Sequence, residues 1–251
     1  MKQFILVWML FFTQSCLAES PTSTATPISH KIWDELLKKH VTTTGFVNYA
    51  GMKHDQADLK KYLTLLENNA PNDTWSKNEQ LAYWINAYNA FTVQLILNHA
   101  AKNLKSIKDI GSVISIPFIN SPWDIKFITI GGKKLDLNAI EHGIIRKKFN
   151  EPRIHFALVC AAKSCPPLRN EAFVAEKLDA QLHSQGVAFF NDASKNEITK
   201  NTIQLSKILD WYRGDFTGTI PEIVNKYAAT KANKNALVTF KTYDWALNGK
   251  L

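Results

Sequence analysis

The sequence predicts an α+β fold: a single domain of several helices packed on a small, mainly antiparallel sheet. Three observations predict it. Stretches with helical apolar spacing interleave with short extended ones, without the regular strand-helix-strand beat of a doubly wound sheet. The 251 residues are 45% hydrophobic and 21% charged, which supplies a full core and excludes a disordered or collagen-like chain and a disulfide mini-scaffold. After the first thirty positions no Gly/Ser-rich or Pro-rich linker interrupts the chain, and no internal repeat is present.

The elements follow in order. Met1-Lys2 is a positive start, Phe4 to Phe12 is uninterruptedly apolar, and Thr13 to Ala18 ends in small residues, so residues 1–18 read as a secretory signal peptide. The apolar run is far short of the roughly 20 residues a spanning helix needs, so no transmembrane anchor is expected after cleavage, and the protein is expected to be periplasmic or secreted. Residues 19–30, rich in Ser, Thr and Pro, read as a flexible linker, and 31–251 as the domain. Ile32, Leu36 and Leu37 mark a first amphipathic helix; Leu59, Tyr62, Leu63 and Leu66 mark another. Ser76 stands three residues before Glu79, a capping box opening a helix over 78–99 that is apolar almost all round and therefore central. Phe127 to Ile130, Gly131-Gly132, then Lys133 to Leu135 predict a hairpin on a primed turn. Asp136 caps a helix over 137–149, Arg153 to Cys160 reads as a buried strand, and Cys165-Pro166-Pro167 forces a shaped loop after it. A packing helix spans 174–190. The remainder alternates short extended and helical pieces.

Chemistry concentrates between Arg153 and Pro166, where a guanidinium, an imidazole and two thiols fall within fourteen positions. On a strand, His155 and Cys160 point to opposite sides, so His155 is not an obvious base for Cys160. Signal cleavage would discard Cys16, leaving Cys160 and Cys165 in an oxidising compartment. Three readings stay open: a structural disulfide; a redox-active pair, although Cys-x4-Cys is not the Cys-x-x-Cys spacing of oxidoreductases; and a nucleophilic thiol, Cys165 or Cys160, with His142 or His155 as base. Lys163 and Arg169 are nearby cations. Glu141 adjoins His142 on the helix after the hairpin, and Arg146 lies one turn on. Asn86 and Asn89 share one side of the central helix, where buried amides require partners, either the backbone of a neighbouring loop or a substrate. Asn86, Asn89, Arg146 and Arg153 are the candidate binding residues, and Glu141 joins the candidate catalytic set. The spacing of His142, His155, Cys160 and Cys165 fits no structural zinc pattern, so no metal is expected, nor any cofactor.

The formal net charge is +8, from lysines scattered without a run of five, and no nucleic-acid-binding signature is present, so no nucleic acid is expected. An anionic cell-envelope surface is the partner such a charge admits.

Ala82-Tyr83-Trp84-Ile85-Asn86-Ala87-Tyr88-Asn89-Ala90, Ile140-Glu141-His142-Gly143-Ile144-Ile145-Arg146, Arg153 through Leu168, and Trp211-Tyr212-Arg213-Gly214-Asp215-Phe216 together resemble the domain of unknown function 547 family over roughly residues 78–245. The resemblance implies no established activity. Relatives in which the domain follows a glutaredoxin-like module mildly favour thiol chemistry, without assigning a role to any residue. Two functional classes remain: a thiol-dependent enzyme using the Cys160-Cys165 loop, or a non-enzymatic envelope or binding module with a structural disulfide.

Overall fold

The computed structural model describes residues 26–113 and 121–251 as an α+β domain. Residues 1–25, which carry the expected signal peptide and most of the expected linker, lie outside the described residues. Among the described residues, no helix is long and apolar enough to cross a membrane.

Helices α1 (Lys31–His40), α2 (Tyr49–His54) and α3 (Gln56–Asn68) pack together and onto α4 (Lys77–Asn98). The capping box forms as the sequence predicts: Glu79 Oε2 accepts the Ser76 amide at 2.6 Å, and Ser76 Oγ accepts the Glu79 amide at 3.2 Å. Every α4 residue from Leu81 to Leu97 is buried, the placement its all-round apolar surface requires. After α5 (Lys108–Val113) comes the hairpin of β2 (Ile128–Ile130) and β3 (Lys133–Leu135), following the short β1 (Val47–Asn48). Gly131 and Gly132 sit at φ 56° and 74°, the two positive values of a primed turn.

The segment capped by Asp136 is a π-helix, Ala139–Ile145, passing into α6 (Arg146–Lys148). Its closing bond runs from the Arg146 amide to the Glu141 carbonyl, five residues back. Arg153 to Cys160, predicted as a strand, is instead a 3₁₀ turn over Pro152–Phe156 followed by irregular chain. Two physical causes oppose a strand. Pro152 opens a helical turn with its fixed φ, capped by the Glu151 carboxylate on the Arg153 amide. Beyond it, buried amide side chains take the groups a ladder would use: Asn89 bonds the Ala157 carbonyl and the Val159 amide, each at 3.0 Å, and Gln185 bonds the Phe156 carbonyl at 3.1 Å.

A 3₁₀ turn leads into α7 (Leu178–Phe190), followed by β4 (Glu197–Ile198), β5 (Thr202–Leu205), α8 (Ile208–Trp211), α9 (Ile220–Asn225), β6 (Leu237–Phe240) and β7 (Gly249–Lys250). Among the described residues the strands form three small sheets, because the core is built around α4 and leaves only short pairings at its periphery. The hairpin is antiparallel, β5 pairs antiparallel with β4 and parallel with β6, and β1 pairs parallel with β7. The β1–β7 pairing ties the C-terminus to the N-terminal helices. It is close enough that a Cβ on Gly249 would stand 2.1 Å from the Val47 carbonyl oxygen.

Candidate functional site

A cavity of about 260 Å³ opens where the π-helix, the 3₁₀ turn, α8 and the C-terminal segment meet. Cys160 and Cys165 both line it, with their sulfurs 2.17 Å apart, at disulfide distance. Cys160 is partly buried and Cys165 fully buried. Two donors converge on the Cys165 sulfur: the Cys160 amide at 2.9 Å and the Tyr243 hydroxyl at 3.2 Å. The same hydroxyl lies 3.2 Å from the Cys160 sulfur. The loop between the cysteines is held by the C-terminal segment. Lys163 and Ser164 amides donate to the Ala246 and Asp244 carbonyls, and Asn248 donates to the Ala161 carbonyl. Ala161 takes φ 60°, a left-handed conformation that a residue with a Cβ adopts only under such constraint.

His155 lines the cavity with the two sulfurs, contrary to the opposite-side geometry a strand would impose. The 3₁₀ turn is the reason, since it abolishes the two-residue alternation on which that expectation rested. The His155 ring is buried, stacks on Tyr212 at 3.8 Å between centroids, and meets Asp215 Oδ2 through Nε2 at 2.7 Å. A carboxylate accepts, so Nε2 carries the proton. Burial lowers the His155 pKa, and Asp215 only partly offsets that. Arg146 grips the same carboxylate twice, Nη2 to Oδ1 at 2.6 Å and Nε to Oδ2 at 2.7 Å. The Arg146 hydrogen bond and then that of His155 pull the Asp215 pKa down to about 2, against the opposing effect of partial burial. The assembly is therefore a neutral imidazole oriented by an ionised carboxylate.

Glu141, on the π-helix, is buried and lines the cavity. Its neighbours are phenols. Burial, followed by the Glu141 charge and hydrogen bonding to it, raises the pKa of both Tyr88 and Tyr212; burial and the same charge raise that of Tyr243. Tyr243 also belongs to an aromatic wall with Trp123, Trp211 and Trp245. Trp211 stays 48% exposed, at the cavity mouth.

Other predicted residues stand outside the cavity. His142, one of the two imidazoles read as a base for the thiols, is largely exposed and accepts from Arg146 Nη1 at 3.1 Å. The adjacent Glu141 faces inward, so the pair splits across the helix surface. The cavity lies between the π-helix and the cysteine loop, and the imidazole lining it is that of His155. Arg153 pairs with Glu151 and Asp179. Asn86 clasps the Phe173 backbone at 2.7 and 3.0 Å, as Asn89 clasps the chain before Cys160. Both amides fix loops from within the core. Among the described residues, no group of three or more His, Cys, Asp or Glu is placed to hold a metal.

Sequence reasoning did not single out Asp215, Tyr243, Trp245 or Trp123, which come from segments distant in sequence from the cysteines. The one available signal was the Trp211 to Phe216 block, which supplies Trp211, Tyr212 and Asp215. No curated protein and no solved structure matches the chain. A family model, described as Protein of unknown function, DUF547, matches residues 72–190. That span holds the π-helix, the 3₁₀ turn with His155 and the cysteine loop, while Asp215, Tyr243 and the exposed Trp211 are supplied from beyond it. Over residues 72–190 this chain is thus similar to the DUF547 family of proteins of unknown function.

Proposed function

We propose that this protein is a thiol-dependent enzyme that exchanges electrons between small thiols and the Cys160–Cys165 pair. The observation that carries the reading is the convergence of the Cys160 amide and the Tyr243 hydroxyl on the Cys165 sulfur, in the cavity that His155 also lines, its ring held from behind by Asp215. Such donors stabilise a thiolate, so Cys165 is suited to leave and the more accessible Cys160 to be attacked.

In the forward step a small thiol gives its proton to the free ring nitrogen of neutral His155, with Asp215 holding the imidazole in the tautomer that accepts it. The resulting thiolate attacks the Cys160 sulfur. A bond forms between the two, the Cys160–Cys165 bond breaks, and its electron pair leaves on Cys165. A second thiol attacks the substrate sulfur of the mixed disulfide, releasing the oxidised substrate disulfide and Cys160 as a thiol. Two substrate thiols are oxidised and one protein disulfide is reduced; a small-molecule disulfide re-oxidises the pair. The leader read in residues 1–18 supports delivery to the periplasm or the outside, where such a pair persists oxidised.

The competing reading is a non-enzymatic envelope or binding module in which the cysteines form a structural bridge. The clamping of their loop by the C-terminal segment favours it. Free-thiol counting and intact-mass analysis of the folded chain after exposure to millimolar small thiols separate the two. The exchange reading expects Cys165→Ser to trap a mixed disulfide on Cys160 when offered a small disulfide, and His155→Gln to slow native-state reduction by ten-fold or more. A bridge inert to millimolar thiols until the chain is unfolded would make it structural.

A further inference from the structure

Glu141 is an unusual wall for an otherwise aromatic cavity. It is 6% exposed, and among the described residues no lysine or arginine pairs with it. Its nearest cationic candidate is His142 Nδ1 at 4.0 Å, but that nitrogen already accepts a hydrogen bond from Arg146 and so carries no proton to offer. Arg146 itself is committed to Asp215. The phenols of Tyr88 and Tyr212 offer hydrogen bonding without positive charge. A carboxylate so enclosed feels Arg146 only at a distance and, among the described residues, has no ion-pair partner of its own, and a buried charge so placed is costly.

Facing it is a continuous surface of rings. Centroids of Trp211 and Tyr243 lie 4.7 Å apart, Tyr243 and Trp245 4.5 Å, and Trp123 and Trp245 5.8 Å. The negative faces of such rings attract cations, and Lys108 Nζ already sits 4.0 Å from the Trp245 centroid. A volume of about 260 Å³ is below the roughly 300–1,000 Å³ of pockets for drug-sized ligands, so the occupant is small. An anion would meet the Glu141 charge, and a neutral apolar molecule would desolvate it without pairing it.

We propose that this cavity binds a small organic ammonium ion, with its charge against Glu141 and its alkyl groups on the faces of Trp211, Tyr243 and Trp245. The ion enters past the exposed Trp211. The chain is basic overall, so binding relies on these local groups and not on long-range attraction. The inference is independent of whether the disulfide turns over.

Calorimetric titration of the full chain with choline, and with 3,3-dimethylbutan-1-ol, its neutral isostere with carbon in place of nitrogen, tests it. Choline should bind at least ten-fold more tightly than the alcohol. Glu141→Gln should remove that preference, and Trp211→Ala, at the exposed rim where folding is least at risk, should weaken choline at least five-fold with an unchanged circular dichroism spectrum. Equal binding of both compounds, binding of neither, or choline affinity unmoved by Trp211→Ala would overturn the proposal. Sedimentation with phosphatidylcholine vesicles identifies the source: capture by vesicles and by soluble choline assigns a lipid headgroup, and soluble choline alone assigns a free ion. No thiol is present and the bridge stays closed, so failure here leaves the exchange reactions standing, and their failure leaves this site standing.

Discussion

At the scale of single residues, the site is governed by how each polar group is compensated. His155 is buried neutral, and its pKa is lowered from the ordinary 6.5 chiefly by burial, with Asp215 pulling the other way. The unfolded chain therefore takes up this proton first as pH falls, so His155 contributes stability above pH 6.5 that is lost progressively below it. Asp215 behaves as a depressed carboxylate. Its contribution is present above the ordinary 3.8 and lost as pH falls through about 2. An NMR titration should find the His155 midpoint below 6.5, and Asp215→Asn should lower it further by removing the carboxylate that favours the imidazolium. A midpoint above 6.5 in the intact protein would contradict the neutral-imidazole assignment. Asn86 and Asn89 form a second residue-scale case. Replacing Asn89 with Leu leaves the Ala157 carbonyl and the Val159 amide unpartnered in the core and should cost about 1–3 kcal/mol in urea denaturation. Asn86→Leu should cost about the same at Phe173.

At the scale of elements, strongly local signals were legible. The capping box over Ser76 and Glu79 and the Gly131-Gly132 turn depend on residues within four positions of one another, and both form as the sequence predicts. Gly132 gives a clean test of the turn. A Cβ there meets nothing within 4 Å, so Gly132→Ala carries only the cost of φ 74°, about 1–2 kcal/mol, and Gly132→Asn should recover part of it. Equal midpoints for all three proteins would show that the turn's handedness does not matter. The stretch from Arg153 to Cys160 is the opposite case. Its apolar run reads equally as strand or buried irregular chain, and the outcome rests on amides from α4 and α7 that lie far away in sequence. Likewise, nothing in the spacing after Asp136 distinguishes a π-helix from an α-helix. The difference decides how Glu141 turns inward while Arg146, one turn on, reaches Asp215.

At the scale of the molecule, the C-terminal segment closes the site. It pairs with the cysteine loop and brings in Tyr243 and Trp245, and β7 then anchors it on β1. The disulfide adds a short closed loop. Removing it by Cys160→Ser with Cys165→Ser should cost about 2 kcal/mol by the loop-entropy relation. For a domain of this length that corresponds to a fall in Tm of roughly 4–8 °C, read by calorimetry without reductant. An unchanged Tm would mean that the C-terminal clamp alone holds the loop.

The α+β class, the central place of the helix opened by Ser76, the hairpin, and the closeness of Cys160 to Cys165 were all legible in the residues. Each follows from periodicity or from contacts a few residues apart, where the chain's own geometry leaves little choice. Which imidazole joins the sulfurs, which carboxylate orients it, and which rings wall the cavity follow instead from long-range packing. Asp215 is 60 positions from His155, and Tyr243 is 78 from Cys165. At such separations, local propensity carries no information about contact. The pairing is decided by how α4, the π-helix and the C-terminal segment pack, and by the need of every polar group buried between them to find a partner.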